Sequence, residues 1–212
     1  MVKVSEIAQL QELIDFYRSK LLLICDHTYS NHLFFKNMLY SLTCCRQEYV
    51  LQCRITSLGY ASKNYFQWFI TYTLFGSVFR CIETALYQLL QVARPDILLE
   101  PEPNRRDLGR LCRMLAETTG IAAEYLRSFD LLDVMNTRIQ KHNNYAEGSS
   151  VALTTYNNQP YVSTYGYSVE LINPALLFAI LKDVGELLAT HFSSNRTQQV
   201  NYYAEPKRQS SV

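Results

Sequence analysis

The sequence predicts a mostly α-helical bundle with a small β-hairpin inserted before the last helix. The chain has 212 residues but only 7 glycines and 6 prolines, which favours helices over an architecture rich in turns. Apolar residues recur at steps of three and four over long stretches, as on the buried face of a helix. We expect one domain over residues 1–192 and a polar, flexible tail over residues 193–212.

The order of the helices follows from this periodicity and from their end signals. The predicted helices cover residues 5–24, 28–57, 61–92, 104–119, 121–143 and 174–191. Pro95 ends the third helix, because the residue before a proline disfavours helical geometry. Asn104 and Asn173 are placed as N-caps of the fourth and last helices, and Pro174 suits a first helical position.

Two short segments between the last two helices are rich in β-branched and aromatic residues. They are Val151–Tyr156 and Tyr161–Tyr167, and the four residues Asn157–Pro160 separate them. This pattern predicts the β-hairpin.

Composition bounds the location and the class of partner. A net charge of +1 argues against a nucleic-acid binder that works by electrostatics alone. The uncharged stretch Asn64–Phe79 is too short and too polar for a membrane span, so we expect a buried helix.

The cysteines lack the paired spacing of a zinc site, so we expect no metal site. We expect their thiols to be free and buried, as in a cytoplasmic protein. The cysteines are Cys25, Cys44, Cys45, Cys53, Cys81 and Cys112.

Arg138 and His142 carry the chemistry that the sequence offers most clearly. They stand four residues apart, about one helical turn, and combine a permanent planar cation with an imidazole that titrates near neutral pH. With Leu131 and Val134 they form one ridge of the helix, which we expect at the rim of the core or in a subunit contact. In a purely structural interpretation, Arg138 pairs with Asp133 or Glu83, and His142 caps the helix end.

The layout around this pair resembles the HEPN superfamily of helical bundles. Its ribonuclease members carry an arginine and a histidine separated by about four to six residues, near the end of a late helix. Met135–Tyr145 is similar to that motif, although only three residues separate Arg138 from His142. Phe79–Tyr87 is similar to an earlier helix of the family, whose acidic residue often faces the site; Glu83 is its counterpart here.

This resemblance implies a metal-independent endoribonuclease without a cofactor, acting as a homodimer in bacterial defence or as a toxin. RNA would be the substrate, and an antitoxin or regulatory protein a further partner. Arg138 and His142 would be catalytic, with support from Glu83, Asn136, Lys141, Asn143 and Tyr145. The alternatives are a non-catalytic HEPN-like module that binds a nucleotide, RNA or protein, and a scaffold in which the pair serves only structure.

Two other patterns allow both a functional and a structural interpretation. Arg106, Arg110 and Arg113 share one helical face, which could follow a phosphate backbone or form the solvated side opposite three leucines. Aromatic residues between Tyr60 and Phe75 could stack on bases, but their density in an apolar helix favours core packing.

Overall fold

The computed structural model describes residues 4–24, 29–56, 65–93, 108–119, 126–141, 152–163 and 172–194. Its elements are, in chain order, helices α1 (Val4–Ile24), α2 (Tyr29–Thr56) and α3 (Tyr65–Phe69), a π-helical segment (Ile70–Leu74), helices α4 (Phe75–Ala93), α5 (Leu108–Thr119) and α6 (Arg127–Lys141), strands β1 (Ala152–Tyr156) and β2 (Gln159–Ser163), and helix α7 (Pro174–Ser194). The described part of the chain is therefore mostly helical, as the low glycine and proline content predicted.

The ends of the helices match the predicted signals where the structure describes them. Asn173 caps α7 as predicted, because its side-chain oxygen accepts a hydrogen bond of 3.2 Å from the backbone N–H of Leu176. Helix α7 continues to Ser194, three residues past its predicted end and into the predicted tail, since no proline or glycine interrupts it there. The predicted cap at Asn104 lies outside the described residues.

The helices form a closed ring around one apolar core. Helix α1 packs against α2, α2 against α4, α4 against α5, α5 against α6, α6 against α7, and α7 against α1 again. Each helix contributes fully buried side chains to the same cluster, among them Leu13 of α1, Phe35 of α2, Ile82 of α4, Leu132 of α6 and Leu181 of α7. Arg138 and Glu83 are thus carried by helices that both pack on α5.

A π-helical turn widens the long helix between α3 and α4. The backbone N–H of Phe75 donates to the carbonyl of Ile70, five residues earlier, so one extra residue is accommodated in this turn. The turn buries Thr71, whose hydroxyl accepts a hydrogen bond of 2.8 Å from the backbone N–H of Ile172, just before α7. The π turn therefore fixes the start of the last helix.

The strands β1 and β2 are antiparallel, with Tyr156 paired to Gln159 across the turn. Asn157 and Asn158 form this turn with positive φ angles of 49° and 62°, a conformation that asparagine tolerates and that matches the twist of a hairpin. The second strand begins at Gln159, two residues before the predicted start at Tyr161. The connection is short because the two asparagines complete the reversal by themselves.

Candidate functional site at the end of helix α6

Helix α6 carries the first half of the predicted catalytic pair. Arg138 and Lys141 lie in its last turn, and the helix is described as far as Lys141. The side chains of both residues, and all of His142, Asn143 and Tyr145, lie outside the described part of the chain. The described surroundings of this end of the helix are therefore those of Leu131 and Val134, which precede Arg138 by about two turns and one turn.

Two faces of α6 differ sharply in burial. Phe129 and Leu132 are fully buried and hold the helix in the core. Leu131 is half-buried and packs at the edge of this core, and Val134 has 44% of its surface exposed. Position 138 follows Val134 by one helical turn. The ridge that leads to Arg138 therefore leaves the core and reaches the surface, although its residues are apolar.

A partly buried polar network anchors the first turn of α6. The hydroxyl groups of Ser128 and Tyr156 are 2.8 Å apart, and the Tyr156 hydroxyl donates to the carboxylate of Asp183 on α7. The amide of Asn157 donates to the same carboxylate at 3.0 Å. The hairpin turn is thereby fastened between α6 and α7. Because these bonds join three elements, they set the position of α6 and thus of its far end.

The ionisation of Tyr156 depends on this network. Burial raises the pKa of its hydroxyl above the ordinary value, and the hydrogen bond to Asp183 raises it further, while hydrogen bonds with Ser128 and Asn157 oppose the shift. The phenol therefore stays protonated at neutral pH and remains the donor to Asp183. Its role is to hold α6, α7 and the hairpin together.

The structure describes the side chains of two predicted supporting residues, Glu83 and Asn136. Glu83 is half-buried on α4, and Asn136 is half-buried on α6. Both have interaction partners, as has Asp133, the other carboxylate considered for Arg138. Helix α5 packs against both α4 and α6, so it lies beside the helices of Glu83 and of Arg138.

The predicted arginine face on α5 is exposed where it is described. Arg110 and Arg113 are exposed, whereas Leu108, Leu111 and Leu115 on the opposite face are buried. Arg110 has an interaction partner within its surroundings. Arg106 lies outside the described residues. This amphipathic pattern accounts for the two arginines as the solvated side of α5, and it leaves them accessible to a polyanion.

The cysteines within the described ranges carry free thiols. Cys45, Cys53 and Cys112 are buried, and Cys44 and Cys81 are half-buried. Among the residues that the structure describes, no three histidine, cysteine or acidic side chains gather as metal ligands. No helix in the described ranges is both long and apolar enough to cross a membrane.

Sequence reasoning missed two groups of residues. The Tyr156–Asp183 contact was not predicted, although a carboxylate between the apolar positions Ile180 and Val184 of α7 is a sign of a buried partner. The aromatic residues of α3 were expected in the core. Phe66 and Phe69 are indeed buried, but Trp68 is 50% exposed. A helix buried on one face only leaves some of its aromatic positions outside.

No protein-family model matches this chain, and no curated protein or solved structure is significantly similar to it.

Proposed function

We propose that this protein is a metal-independent endoribonuclease of the HEPN type, with Arg138 and His142 as its catalytic pair. The observation that carries the proposal is the exposure of Val134, one turn before Arg138 on the same ridge of α6. A catalytic arginine must reach a phosphate from solvent, whereas a structural arginine would continue a buried ridge. Anchoring of α6 by the Ser128–Tyr156–Asp183 network supports a fixed position for such a site.

The proposed chemistry is cleavage of RNA by its own 2′-hydroxyl group. A base removes the 2′ proton, the 2′ oxygen attacks the phosphorus, and the 5′ oxygen leaves with a proton from an acid. His142 serves as the acid or base, and the Arg138 guanidinium stabilises the charge that builds on the phosphate oxygens. The products are a 2′,3′-cyclic phosphate and a 5′-hydroxyl end. Glu83, Asn136, Lys141, Asn143 and Tyr145 support the pair.

One chain supplies a single Arg138/His142 pair to the proposed site, whereas the reaction needs both a base and an acid. A homodimer that brings two α6 ends together across a two-fold axis supplies both. The apolar ridge at Leu131 and Val134 offers a surface for such a contact next to the pair. A role in bacterial defence or as a toxin, held in check by an antitoxin or regulatory protein, belongs to the same proposal.

The test is cleavage of a mixed RNA pool in EDTA by the wild type and by the His142→Ala variant. We expect the wild type to produce cyclic phosphate ends and His142→Ala to lose activity by a factor of about 10² or more. His32→Ala is the matched control, because His32 is a half-buried histidine on α2. This variant should cleave like the wild type.

Two results would contradict the proposal. Retained cleavage by a folded His142→Ala variant would exclude the mechanism. A folded wild type that binds RNA but does not cleave it would favour a non-catalytic HEPN-like module instead. The short spacing of three residues between Arg138 and His142 is the observation that favours this second function.

A further inference from the structure

Three aromatic rings form a continuous series on the outer side of α3 and the π-helical segment. The rings of Tyr65 and Trp68 lie 6.2 Å apart between centroids, at an interplanar angle of 21°. Those of Trp68 and Tyr72 lie 5.4 Å apart at 42°. Trp68 is 50% exposed and Tyr72 38% exposed. Because the rings restrict one another, their exposed surfaces are held ready for a ligand without a large loss of side-chain entropy.

On the same side of the helix, the aromatic series is followed by a glycine, Gly76, and by an arginine, Arg80. Trp68, Tyr72, Gly76 and Arg80 follow one another at four-residue steps and are all exposed, so they form one exposed ridge across the π turn. A Cβ atom at Gly76 would meet no atom within 4 Å, so the surface between Tyr72 and Arg80 is open. Arg80 is exposed. It lies about 12 Å along the helix axis from Tyr72, a distance that a short segment of a single strand can span.

We propose that this aromatic-arginine face (Trp68, Tyr72, Gly76 and Arg80) binds single-stranded RNA. Bases stack on the rings of Trp68 and Tyr72, and a phosphate binds to Arg80. The inference deepens the proposed endoribonuclease function, on which it rests for the identity of the nucleic acid. Stacking on aromatic side chains recognises any base by its flat surface, and the guanidinium recognises the phosphate. Double-stranded RNA is excluded as a ligand because its bases are stacked inside the helix.

The charges around the face favour one direction for the RNA backbone. At the Tyr65 end, burial is the main cause that raises the pKa of Tyr65, followed by electrostatic interactions with Cys53 and Glu48. The carboxylate of Glu48 therefore places negative charge near this end of the aromatic series. Phosphates are therefore repelled from the Tyr65 end and attracted to the Arg80 end. A protein partner fits this face less well, because interface anchors insert into pockets, whereas this ridge is open at Gly76.

Trp68 is the only tryptophan in the chain, so its fluorescence reports directly on this face. The experiment titrates the wild-type protein with a 2′-O-methyl octauridylate, which cannot be cleaved because its 2′ oxygens are blocked. We expect saturable quenching of Trp68 as a base stacks on the indole. Tyr72→Ala should weaken binding by about 5- to 150-fold. Arg80→Gln should lower the slope of log affinity against log salt by about 0.7, the loss of one phosphate contact to a single strand.

Matched substitutions elsewhere separate this face from general effects of charge and aromaticity. Tyr40→Ala removes a tyrosine that is 71% exposed on α2, and Arg18→Gln removes an exposed arginine on α1. Both variants should bind like the wild type. Absence of quenching, quenching that Tyr72→Ala leaves unchanged, or equal quenching by a duplex of the same length would overturn the inference.

The outcome is independent of the cleavage assay. Quenching in a protein that does not cleave RNA would support RNA binding by the aromatic-arginine face and contradict the endoribonuclease function. Cleavage that depends on His142 in a protein without quenching would support the endoribonuclease function and contradict RNA binding by this face.

Discussion

At the scale of single residues, buried hydroxyl groups join helices that are distant in sequence. The Tyr17 hydroxyl donates to the carbonyl of Leu181 at 2.7 Å, and the Tyr49 hydroxyl donates to the carboxylate of Glu6. The Thr71 hydroxyl accepts from the N–H of Ile172. Each pairing satisfies a polar group that would otherwise be costly to bury. These bonds therefore select one arrangement among the many in which apolar helices could pack.

The adjacent thiols of Cys44 and Cys45 should react at different rates. Burial, followed by the charges of Glu48 and Cys44, raises the pKa of Cys45 to about 11. Only about one in a thousand of its thiols is then ionised at pH 8, and the thiolate is the reactive form. We expect iodoacetamide to modify half-buried Cys44 first, and the rate at Cys45 to rise about tenfold per pH unit between pH 8 and 10.

Both cysteines lie in the tryptic peptide of residues 37–46, so tandem mass spectrometry can assign each modification. The urea-unfolded protein is the control, in which the two rates should converge. Modification of Cys45 as fast as Cys44 in the native protein at pH 8 would contradict the prediction.

At the scale of elements, the positions of helices and of the α7 cap were predicted better than the exposure of individual side chains. Periodicity located α1 and α2, and the Asn173–Pro174 pair located the start of α7, because these signals are local. The π turn at Ile70–Leu74 was not predicted, since it depends on the contact of Thr71 with Ile172, far away in the chain. The exposure of Trp68 depends in the same way on which face of its helix meets the core.

The candidate site was only partly accessible to sequence reasoning for a related physical reason. The Arg138–His142 spacing is a local property of the sequence and could be read directly. The surroundings of the pair depend on the neighbouring helices and, in the proposed homodimer, on a second copy of the chain, and neither follows from spacing. Tyr156 and Asp183, which fix α6, meet only after the hairpin folds onto α7.

Two helical glycines should respond to alanine in opposite ways. A Cβ atom at Gly185 would lie 2.7 Å from Cε1 of Phe16 and 3.3 Å from Cζ of buried Tyr17, so the Phe16 ring would have to move or α1 and α7 would have to separate. We expect Gly185→Ala to lower the free energy of unfolding by about 1–3 kcal/mol. Gly76→Ala meets open space and should raise it by about 0.5–1 kcal/mol, because alanine favours the helix.

Urea unfolding monitored by circular dichroism measures both changes, and each glycine variant serves as the control for the other. An unchanged stability of Gly185→Ala would show that Phe16 moves aside at no cost. A destabilised Gly76→Ala would show that the surface at this position is not open.

At the scale of the whole molecule, the ring of helices is closed by contacts of α7 with both α6 and α1. Tyr17 joins α7 to α1, Lys20 pairs with Glu186 at 2.5 Å, and Tyr156 joins α7 to the hairpin and α6. The partly exposed ion pair contributes little to stability, whereas the buried phenols contribute more. Closure of the ring therefore depends on tyrosines that remain protonated.

Stability should consequently fall in alkali. Burial raises the folded-state pKa of Tyr17, Tyr49 and Tyr156, so their contribution is complete below the unfolded value near pH 10 and is lost as the pH rises above it. Tyr156→Phe should lower the free energy of unfolding by about 1–3 kcal/mol between pH 7 and 9. Above pH 10 this difference should shrink by up to about 1.4 kcal/mol per pH unit, because phenylalanine does not ionise in the unfolded chain. Urea unfolding at each pH measures the difference, and a constant value up to pH 12 would show that the Tyr156 phenol ionises as easily in the folded protein.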